Sequence, residues 1–315
     1  MRIVFLFALL LLGACGAPNR SSSNLVEQDT LQEASVAKME PYHFRLPLPP
    51  ADLDPEQHRA FLRDHFWDHF PFADSTLLQR IDSTELVQVY IAYVGQVLTP
   101  ADTAAMRHLM SRAEASKPLF AHFHRLAELL LYDPNSPIRS DELYIPVLEQ
   151  VIASSHYDEY EKLAPAYDLE VVRQNRVGYP ANDFRYTLSD GRAGTLYQLR
   201  APYTLLFISN PGCPMCRSIR EQISESPLMS ELIERGDLCV LMLYPDEDLT
   251  EWYAHRAEIP AEWINAYDKG CVIQRQRSYD LKAIPSLYLL DSRKRVILKD
   301  VVDVAQIENA LLSRQ

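Results

Sequence analysis

The chain has 315 residues, of which 47% are hydrophobic and 23% are charged, and its formal net charge is −12. This composition is typical of a globular protein, and the length allows two domains of ordinary size. The negative charge argues against a nucleic-acid partner, because binding phosphates requires a basic face. Beyond the first residues, no segment is long and apolar enough to span a membrane.

The N-terminus predicts an export signal. Arg2 precedes an apolar run, Ile3–Leu12, that is too short for a membrane-spanning helix. The residues Leu-Gly-Ala before Cys15 resemble a lipobox, the cleavage site of bacterial lipoproteins. That resemblance implies a signal peptide over residues 1–14 and lipidation of Cys15, so that the chain is attached to a bacterial membrane. A plain secretory signal cleaved near Ala17 is the alternative. Both place the protein outside the cytoplasm, where disulfides persist unless something reduces them.

A tether and an all-α helical domain are predicted next. Residues 15–40 are polar with little periodicity, as in a flexible tether. Over residues 41–170 the hydrophobic spacing is helical, and Asp54 followed by Pro55 is a typical helix start. The pattern predicts a first helix extending from there through Phe70. Further helices are predicted over 74–81, 84–97, 101–114, 117–132, 140–154 and 157–166.

Two histidines in the first predicted helix, His65 and His69, lie four residues apart on one helix face and raise the question of a metal site. Apolar residues surround the same stripe, namely Phe61, Leu62 and Phe66. The preferred interpretation is therefore a pair of partly buried histidines packed in a helical interface.

From residue 175 to residue 315 strands alternate with helices, which predicts a layered α/β domain. Strands are predicted over 184–188, 203–209, 238–244, 263–265, 286–290 and 295–298, with hairpin turns at 189–192 and 291–294. Helices are predicted over 217–232, from near Asp248, over 273–279 and over 304–312.

Cys213 and Cys216 form a C-x-x-C pair between a strand and a helix. A strand that delivers such a pair to a helix N-terminus builds a thiol–disulfide exchange site. The helix dipole favours a thiolate at Cys213, Pro214 suits the first helical turn, and Arg217 adds a positive charge. We expect Cys213 to attack a target disulfide and Cys216, the less exposed thiol, to resolve the mixed disulfide.

The same cysteine spacing occurs in zinc sites, but zinc would require two more Cys or His ligands at matching spacing. Cys239 and Cys271 are isolated, and His255 is the only histidine after the motif. The sequence therefore predicts no metal and no cofactor apart from the redox-active disulfide. A second disulfide between Cys239 and Cys271 stays open, because the sequence gives no distance.

The region from residue 175 to the C-terminus resembles the extracytoplasmic thioredoxin-like proteins of the TlpA/ResA type. The resemblance rests on the lead-in at 177–191, on the site Cys213-Pro214-Met215-Cys216-Arg217, and on the segment 283–291. It implies a thioredoxin-like α/β fold, a cis peptide bond between Ile284 and Pro285 beside the cysteines, and pairing of the Ile284 backbone with substrate. An ordinary turn proline is the alternative for Pro285.

The chain departs from this family at three positions. Gly212 stands where Trp usually precedes the first cysteine, and Phe207 and Ile219 stand where relatives often carry a buried carboxylate. The usual proton-transfer group is therefore missing. A peroxiredoxin would have Thr where this chain has Asn210, so that alternative is disfavoured.

The helical region resembles an uncharacterised helical domain that precedes thioredoxin-like domains in some bacterial lipoproteins. Residues 131–137 and 142–148 carry this resemblance, which implies no known activity. The predicted function is an extracytoplasmic thiol–disulfide oxidoreductase of open direction. Its expected partners are cysteine-containing extracytoplasmic proteins and a membrane electron donor or acceptor. The alternative is a lipid-anchored binding or scaffold protein with a catalytically weak thioredoxin-like domain.

Overall fold

The computed structural model describes residues 39–314, and the lipidation candidate Cys15 lies outside them. Helices form the first part of this range: α1 (Pro55–His65), α2 (Leu77–Arg80), α3 (Ser83–Ala92), α4 (Thr103–Ala113), α5 (Lys117–Ala127), α6 (Asp141–Ala153) and α7 (Leu163–Val172). Two π-helical turns, Tyr93–Val97 and Glu128–Tyr132, extend α3 and α5. No helix among the described residues is both long and apolar enough to cross a membrane.

The start of α1 follows its sequence signal, but its end does not. Asp54 accepts a hydrogen bond from the Gln57 amide at 2.8 Å, and the Gln57 side chain accepts one from the Asp54 amide at 3.1 Å. This reciprocal capping box satisfies two amides that the helix itself leaves free. The prediction that the helix continues through Phe70 is wrong, since α1 ends at His65. Consecutive tight turns follow, in which the Asp68 amide donates to the His65 carbonyl and the Phe70 amide to the Trp67 carbonyl, each at 3.0 Å.

These turns also overturn the prediction for the two histidines. Phe66, Trp67 and Phe70 point into the core, whereas His65 and His69 are exposed. His65 pairs through Nδ1 with the Asp68 carboxylate at 2.8 Å. The histidines are therefore surface residues rather than part of a helical interface.

The last helix of this region is displaced from its predicted position. The pattern predicts a helix over 157–166, but α7 begins at Leu163. Asp158 accepts hydrogen bonds from the Tyr160 and Glu161 amides, which forms a turn where the helix was expected. Pro165 falls in the first turn of α7, where its missing N–H leaves no hydrogen bond unmade.

The second part of the described chain is a seven-stranded mixed sheet with helices on its faces, as predicted. Its elements are β1 (Arg185–Leu188), β2 (Ala193–Thr195), β3 (Tyr203–Ile208), α8 (Pro214–Glu225), α9 (Pro227–Glu234), β4 (Leu238–Tyr244), α10 (Leu249–His255), β5 (Ile264–Tyr267), α11 (Val272–Arg275), β6 (Ser286–Asp291), β7 (Val296–Val301) and α12 (Val304–Leu312). The strand order is β2-β1-β5-β4-β3-β6-β7. β3 and β4 are parallel, as are β4 and β5, while β6 runs antiparallel to β3.

The central strand β3 is buried on both faces. Leu205 and Phe207 pack into one apolar cluster together with α8, α9 and α12, while Leu206 and Ile208 pack into a second cluster on the opposite face. Side chains alternate between the two faces of a strand, so a fully buried strand is apolar throughout. This explains the unbroken apolar run that predicted the strand.

Most predicted boundaries in this region hold, with two exceptions. β4 and α12 have their predicted bounds. The single helix predicted over 217–232 is wrong, because α8 ends before Ser226 and α9 begins at Pro227. Pro227 cannot donate to a preceding turn, and the Ser226 side chain caps the new helix by accepting from the Met229 amide at 3.2 Å. The helix predicted over 273–279 is only the short α11.

The helical and α/β parts are in contact. The chain from Glu40 onward forms one compact unit by its internal contacts. The helical region has its own apolar core, centred on aromatic side chains. Side chains of this region also contact the loop between α11 and β6, which leads into the cysteine site.

Candidate active site

Cys213 occupies the N-cap of α8, directly before Pro214 at the first helical position. Its backbone is extended, with φ −84° and ψ 119°. The Cys213 Sγ accepts a hydrogen bond from the Cys216 amide at 3.3 Å. The amide donor and the helix N-terminus both place partial positive charge beside this sulfur.

Cys216 lies one turn further along α8 and is only 2% exposed, whereas Cys213 is partly exposed. Burial, together with the neighbouring Cys213 sulfur, raises the pKa of the Cys216 thiol to about 12. The two thiols therefore differ in the way the exchange mechanism requires. One is accessible at a helix N-terminus, and the other is hidden and keeps its proton.

The strand end before the motif contributes groups that partly oppose this shift. The backbone amide of Asn210 and the side-chain hydroxyl of Ser209 both lie beside the Cys216 sulfur and lower the pKa of that thiol. The Ser209 hydroxyl is buried and has no hydrogen-bond partner of good geometry among the described residues. The Asn210 Oδ1 accepts from the Gly212 amide at 3.0 Å, which fixes the turn into Cys213.

The sheet register brings residues 283–291, which we call the proline segment, next to the two cysteines. Ile208, the last residue of β3, pairs with Ser286, the first residue of β6. Since these strands are antiparallel, the residues that follow β3 and those that precede β6 meet at one edge of the sheet. Pro285 therefore lies beside the cysteine loop although it is about 70 residues away in sequence.

The Ile284–Pro285 peptide bond is cis, as the family resemblance implied. The Ile284 carbonyl oxygen lies 3.7 Å from the Cys213 Sγ, within reach of a weak hydrogen bond from the thiol. Pro285 itself is buried. The arrangement places backbone polar groups of Ile284 next to the accessible sulfur, where an extended peptide could pair with them.

The remaining predicted site residues differ in their surroundings. Met215 is 57% exposed beside the cysteines and offers an apolar surface. Arg217 is exposed, and its side chain makes no hydrogen bond or ion pair among the described residues. Its backbone amide donates to the Cys213 carbonyl at 3.2 Å, as the first turn of α8 requires.

No carboxylate takes the place of the family's proton-transfer group. Phe207 is 0% and Ile219 is 3% exposed, and both pack in the apolar cluster with Cys216. Glu221 is exposed on α8. The polar side chain that comes nearest to the role of the missing carboxylate is that of Ser209, whose hydroxyl lowers the pKa of Cys216. Apart from its position at the strand end, no sequence signal pointed to this residue.

The other two cysteines do not join the site or each other. Both are free thiols. Cys239 lies near the start of β4. The Asp268 amide donates a hydrogen bond to the Tyr244 carbonyl at 2.8 Å, which places the nearby Cys271 at the end of that strand. Five residues of strand span roughly 17 Å, far more than a disulfide bridges. Among the described residues, no cluster of three or more His, Cys, Asp or Glu side chains could hold a metal ion.

Comparisons with known proteins agree with this description. Residues 15–175 match the family described as DUF5106, a domain of unknown function. A thioredoxin-like protein from Bacteroides caccae is 43% identical over 86% of this chain and 99% of its own, with a TM-score of 0.82. No curated protein matches the chain at a significant level.

Two further solved structures resemble only part of the chain. The C-terminal domain of an uncharacterized protein from Bacteroides fragilis is 48% identical, covering 44% of this chain and 98% of its own, with a TM-score of 0.43. The thioredoxin domain of a thiol-disulfide oxidoreductase from Bacteroides vulgatus is 16% identical, covering 44% of this chain and 97% of its own, with a TM-score of 0.39. On the long, closely similar match to the Bacteroides caccae structure and on the match to DUF5106, the chain belongs to the thioredoxin-like proteins that carry a DUF5106 region at their N-terminus.

Proposed function

We propose that the protein catalyses thiol–disulfide exchange, with Cys213 as the nucleophile and Cys216 as the resolving thiol. The observation that carries the proposal is the setting of the Cys213 sulfur. It accepts the Cys216 amide at 3.3 Å and lies 3.7 Å from the Ile284 carbonyl that precedes cis-Pro285. Attack on a disulfide in an extended peptide requires an accessible sulfur beside backbone groups that can pair with the peptide. The hydrogen-bonded Cys213 sulfur beside the Ile284 backbone meets this requirement.

The proposed reaction begins from the reduced pair. The Cys213 thiolate attacks one sulfur of a target disulfide, so a mixed disulfide forms and the other target sulfur leaves as a thiolate. Cys216 then loses its proton to water or to a released target thiolate and attacks the Cys213 sulfur, forming the Cys213–Cys216 disulfide and releasing the second target thiolate. The target is reduced by two electrons and the pair is oxidised by two. The same steps run in reverse when the pair starts oxidised.

The second step of the exchange requires that Cys216 be deprotonated. Since burial keeps Cys216 protonated, its proton must leave before it can attack. The Asn210 amide and the Ser209 hydroxyl favour the thiolate form at that sulfur. By stabilising the thiolate they ease the deprotonation that a buried carboxylate assists in relatives, although neither accepts the proton itself.

The lipobox resemblance supports an extracytoplasmic, lipid-anchored location through Cys15. In that setting the partners would be secreted or envelope proteins that contain cysteines. A membrane electron donor or acceptor would reset the pair after each turnover. Measuring the reduction potential separates the two directions, since roughly −270 mV indicates a reductase and roughly −120 mV an oxidant.

Trapping of mixed disulfides tests the proposal. The Cys216→Ser variant should accumulate a covalent adduct with insulin that dithiothreitol releases, because the resolving thiol is missing. Cys213→Ser should form none and should lose dithiothreitol-dependent insulin reduction. Cys239→Ser is the matched control and should behave as the unaltered protein. Absence of adducts in Cys216→Ser together with absence of a dithiol redox transition in the unaltered protein would reject the proposal.

One observation favours a second function. The positions at which relatives carry a proton-transferring carboxylate are filled by the buried Phe207 and Ile219. A binding or scaffold protein with a weakly active thioredoxin-like domain would fit this. In that case, insulin reduction by the unaltered protein would not exceed the rate with dithiothreitol alone.

A further inference from the structure

The loop before the proline segment has little regular structure of its own. Residues 276–285 connect α11 to β6 and contain no helix or strand beyond a turn at their start. Such a loop keeps its position only through contacts made by its side chains and carbonyls. It ends at Ile284, whose carbonyl faces the Cys213 sulfur. The contacts that hold this loop therefore determine where the Ile284 backbone lies beside Cys213.

The first contact with the helical region is at the start of the loop. The Arg277 guanidinium donates to the Glu170 carboxylate of α7 at 2.8 Å. It also lies 4.3 Å from the ring centroid of Tyr167 on the same helix. Two residues of α7 thus hold one side chain of the loop.

A second contact is less exposed to solvent. Asp280 pairs with Arg139, just before α6, at 3.5 Å, and the side chains of Asp280 and Arg139 are 9% and 15% exposed. Arg139 also pairs with Asp300 on β7 and with Asp141 of α6. One guanidinium from the helical region therefore joins the loop to the edge strand of the sheet. Removing one member of such a buried group leaves the others uncompensated.

The third contact is two residues from Ile284. The Lys282 Nζ donates to the Tyr132 carbonyl at 2.6 Å and lies 2.7 Å from the centroid of the Tyr132 ring. Tyr132 ends the π-helical turn Glu128–Tyr132, where the backbone carbonyl is free to accept from outside the helix. Burial lowers the pKa of Lys282, and the nearby Asp280 and Asp168 carboxylates oppose part of this shift by favouring the charged form. Lys282 is thus held by the carbonyl and the ring of Tyr132 and by the nearby Asp280 and Asp168 carboxylates.

We propose that the helical region positions the proline segment of the site, and that Lys282 is the positioning residue that sets where Ile284 lies against Cys213. The inference rests on the proposed exchange function. A peptide substrate that pairs with the Ile284 backbone needs that edge in register with the sulfur. A small disulfide that only meets the sulfur does not. The helical region therefore selects for disulfides carried on extended polypeptide.

The test compares two disulfides on the full protein. Lys282→Met removes the ammonium but keeps the chain length. It should lower kcat/KM for reduction of insulin by about tenfold, mainly through KM, and leave the rate with Ellman's reagent within about twofold. Lys282→Arg keeps a donor and should recover most of the insulin rate. Lys269→Met is the matched control, because Lys269 is exposed and makes no hydrogen bond or ion pair among the described residues.

Hydrogen exchange supplies a readout that does not depend on activity. Amides over 277–284 should exchange faster in Lys282→Met than in Lys269→Met. If the two variants match in exchange and in both rates, the inference is wrong. It is also wrong if the rates with insulin and Ellman's reagent fall equally, because the lysine would then act on the thiols. If Cys216→Ser forms no adduct and the unaltered protein shows no dithiol redox transition, the proposed function fails, and hydrogen exchange alone decides whether Lys282 positions the loop.

Discussion

The helical region and the α/β region build their cores in different ways. In the helical region one cluster is organised around aromatic rings, and Trp67 lies 5.3–5.5 Å from the ring centroids of Phe70, Tyr93 and Phe123. In the α/β region the sheet divides the apolar side chains into two clusters, one on each face. Helices hide their backbone along their length, whereas a sheet exposes strand ends and the loops that follow them.

This difference assigns the two regions different tasks. The edge of the sheet where β3 ends and β6 begins brings Cys213 and Ile284 together. The helical region offers no comparable cluster of reactive side chains among its described residues. It instead contributes Arg139 and the Tyr132 carbonyl to the loop beside that edge. We therefore expect one region to carry the proposed chemistry and the other to hold it in place.

The strongest test of this comparison is in the aromatic core. Trp67 is 4% exposed, and Trp67→Ala should lower the free energy of unfolding by about 4 kcal/mol through lost packing and a cavity. Because the two regions share buried ion pairs, urea should still unfold them in one transition monitored by circular dichroism. Leu129→Ala, at a 48% exposed position, is the control and should change stability by less than about 0.5 kcal/mol. Two separate transitions, with the second one unshifted, would show that the regions are independent.

The ion pairs between the regions give the next effect. Arg139→Met leaves the Asp280 and Asp300 carboxylates without their common partner in a buried setting. The free energy of unfolding should fall by about 3 kcal/mol in urea denaturation. Arg235→Met removes an arginine whose side chain is 61% exposed and should cost no more than about 1 kcal/mol. Equal losses in the two variants would contradict the importance of burial at Arg139.

A pH dependence should separate the two thiols of the α/β region. Since the pKa of Cys216 is raised to about 12, its thiolate is scarce near neutral pH and becomes more abundant as pH rises. Resolution of a mixed disulfide on Cys213 should therefore accelerate about tenfold per pH unit between about pH 7 and 9. Stopped-flow fluorescence of an insulin adduct would measure this. A rate independent of pH would mean that another group already takes the proton.

The smallest effect concerns the strand end. Ser209→Ala removes a hydroxyl that lowers the pKa of Cys216, so resolution at a fixed neutral pH should slow by about threefold. The free energy of unfolding should change little, because this hydroxyl has no hydrogen-bond partner of good geometry among the described residues. Ser218→Ala on the exposed side of α8 is the control and should leave the rate unchanged. A faster rate in Ser209→Ala would reverse the assigned role of the hydroxyl.

Sequence reasoning succeeded where local signals and burial agree. The apolar run at 238–244 gave β4 with its true bounds, and the Asp54–Pro55 start gave the beginning of α1. It failed where a proline sits near a boundary. Pro165 and Pro227 each lie in the first turn of a helix, whereas the predicted helices continued straight through them. The histidines were misplaced because α1 ends at His65, an end that the hydrophobic spacing did not reveal.

The sequence by itself determined the pair of thiols, their place between a strand and a helix, and the order of a helical and an α/β part. These are local properties of hydrophobic spacing, helix caps and cysteine spacing, and neighbouring residues encode them. Only the tertiary structure decided that the Ser209 hydroxyl lies beside Cys216 and that Lys282 reaches the Tyr132 carbonyl. Such contacts join residues that are up to 150 positions apart, and the packing of whole elements fixes them.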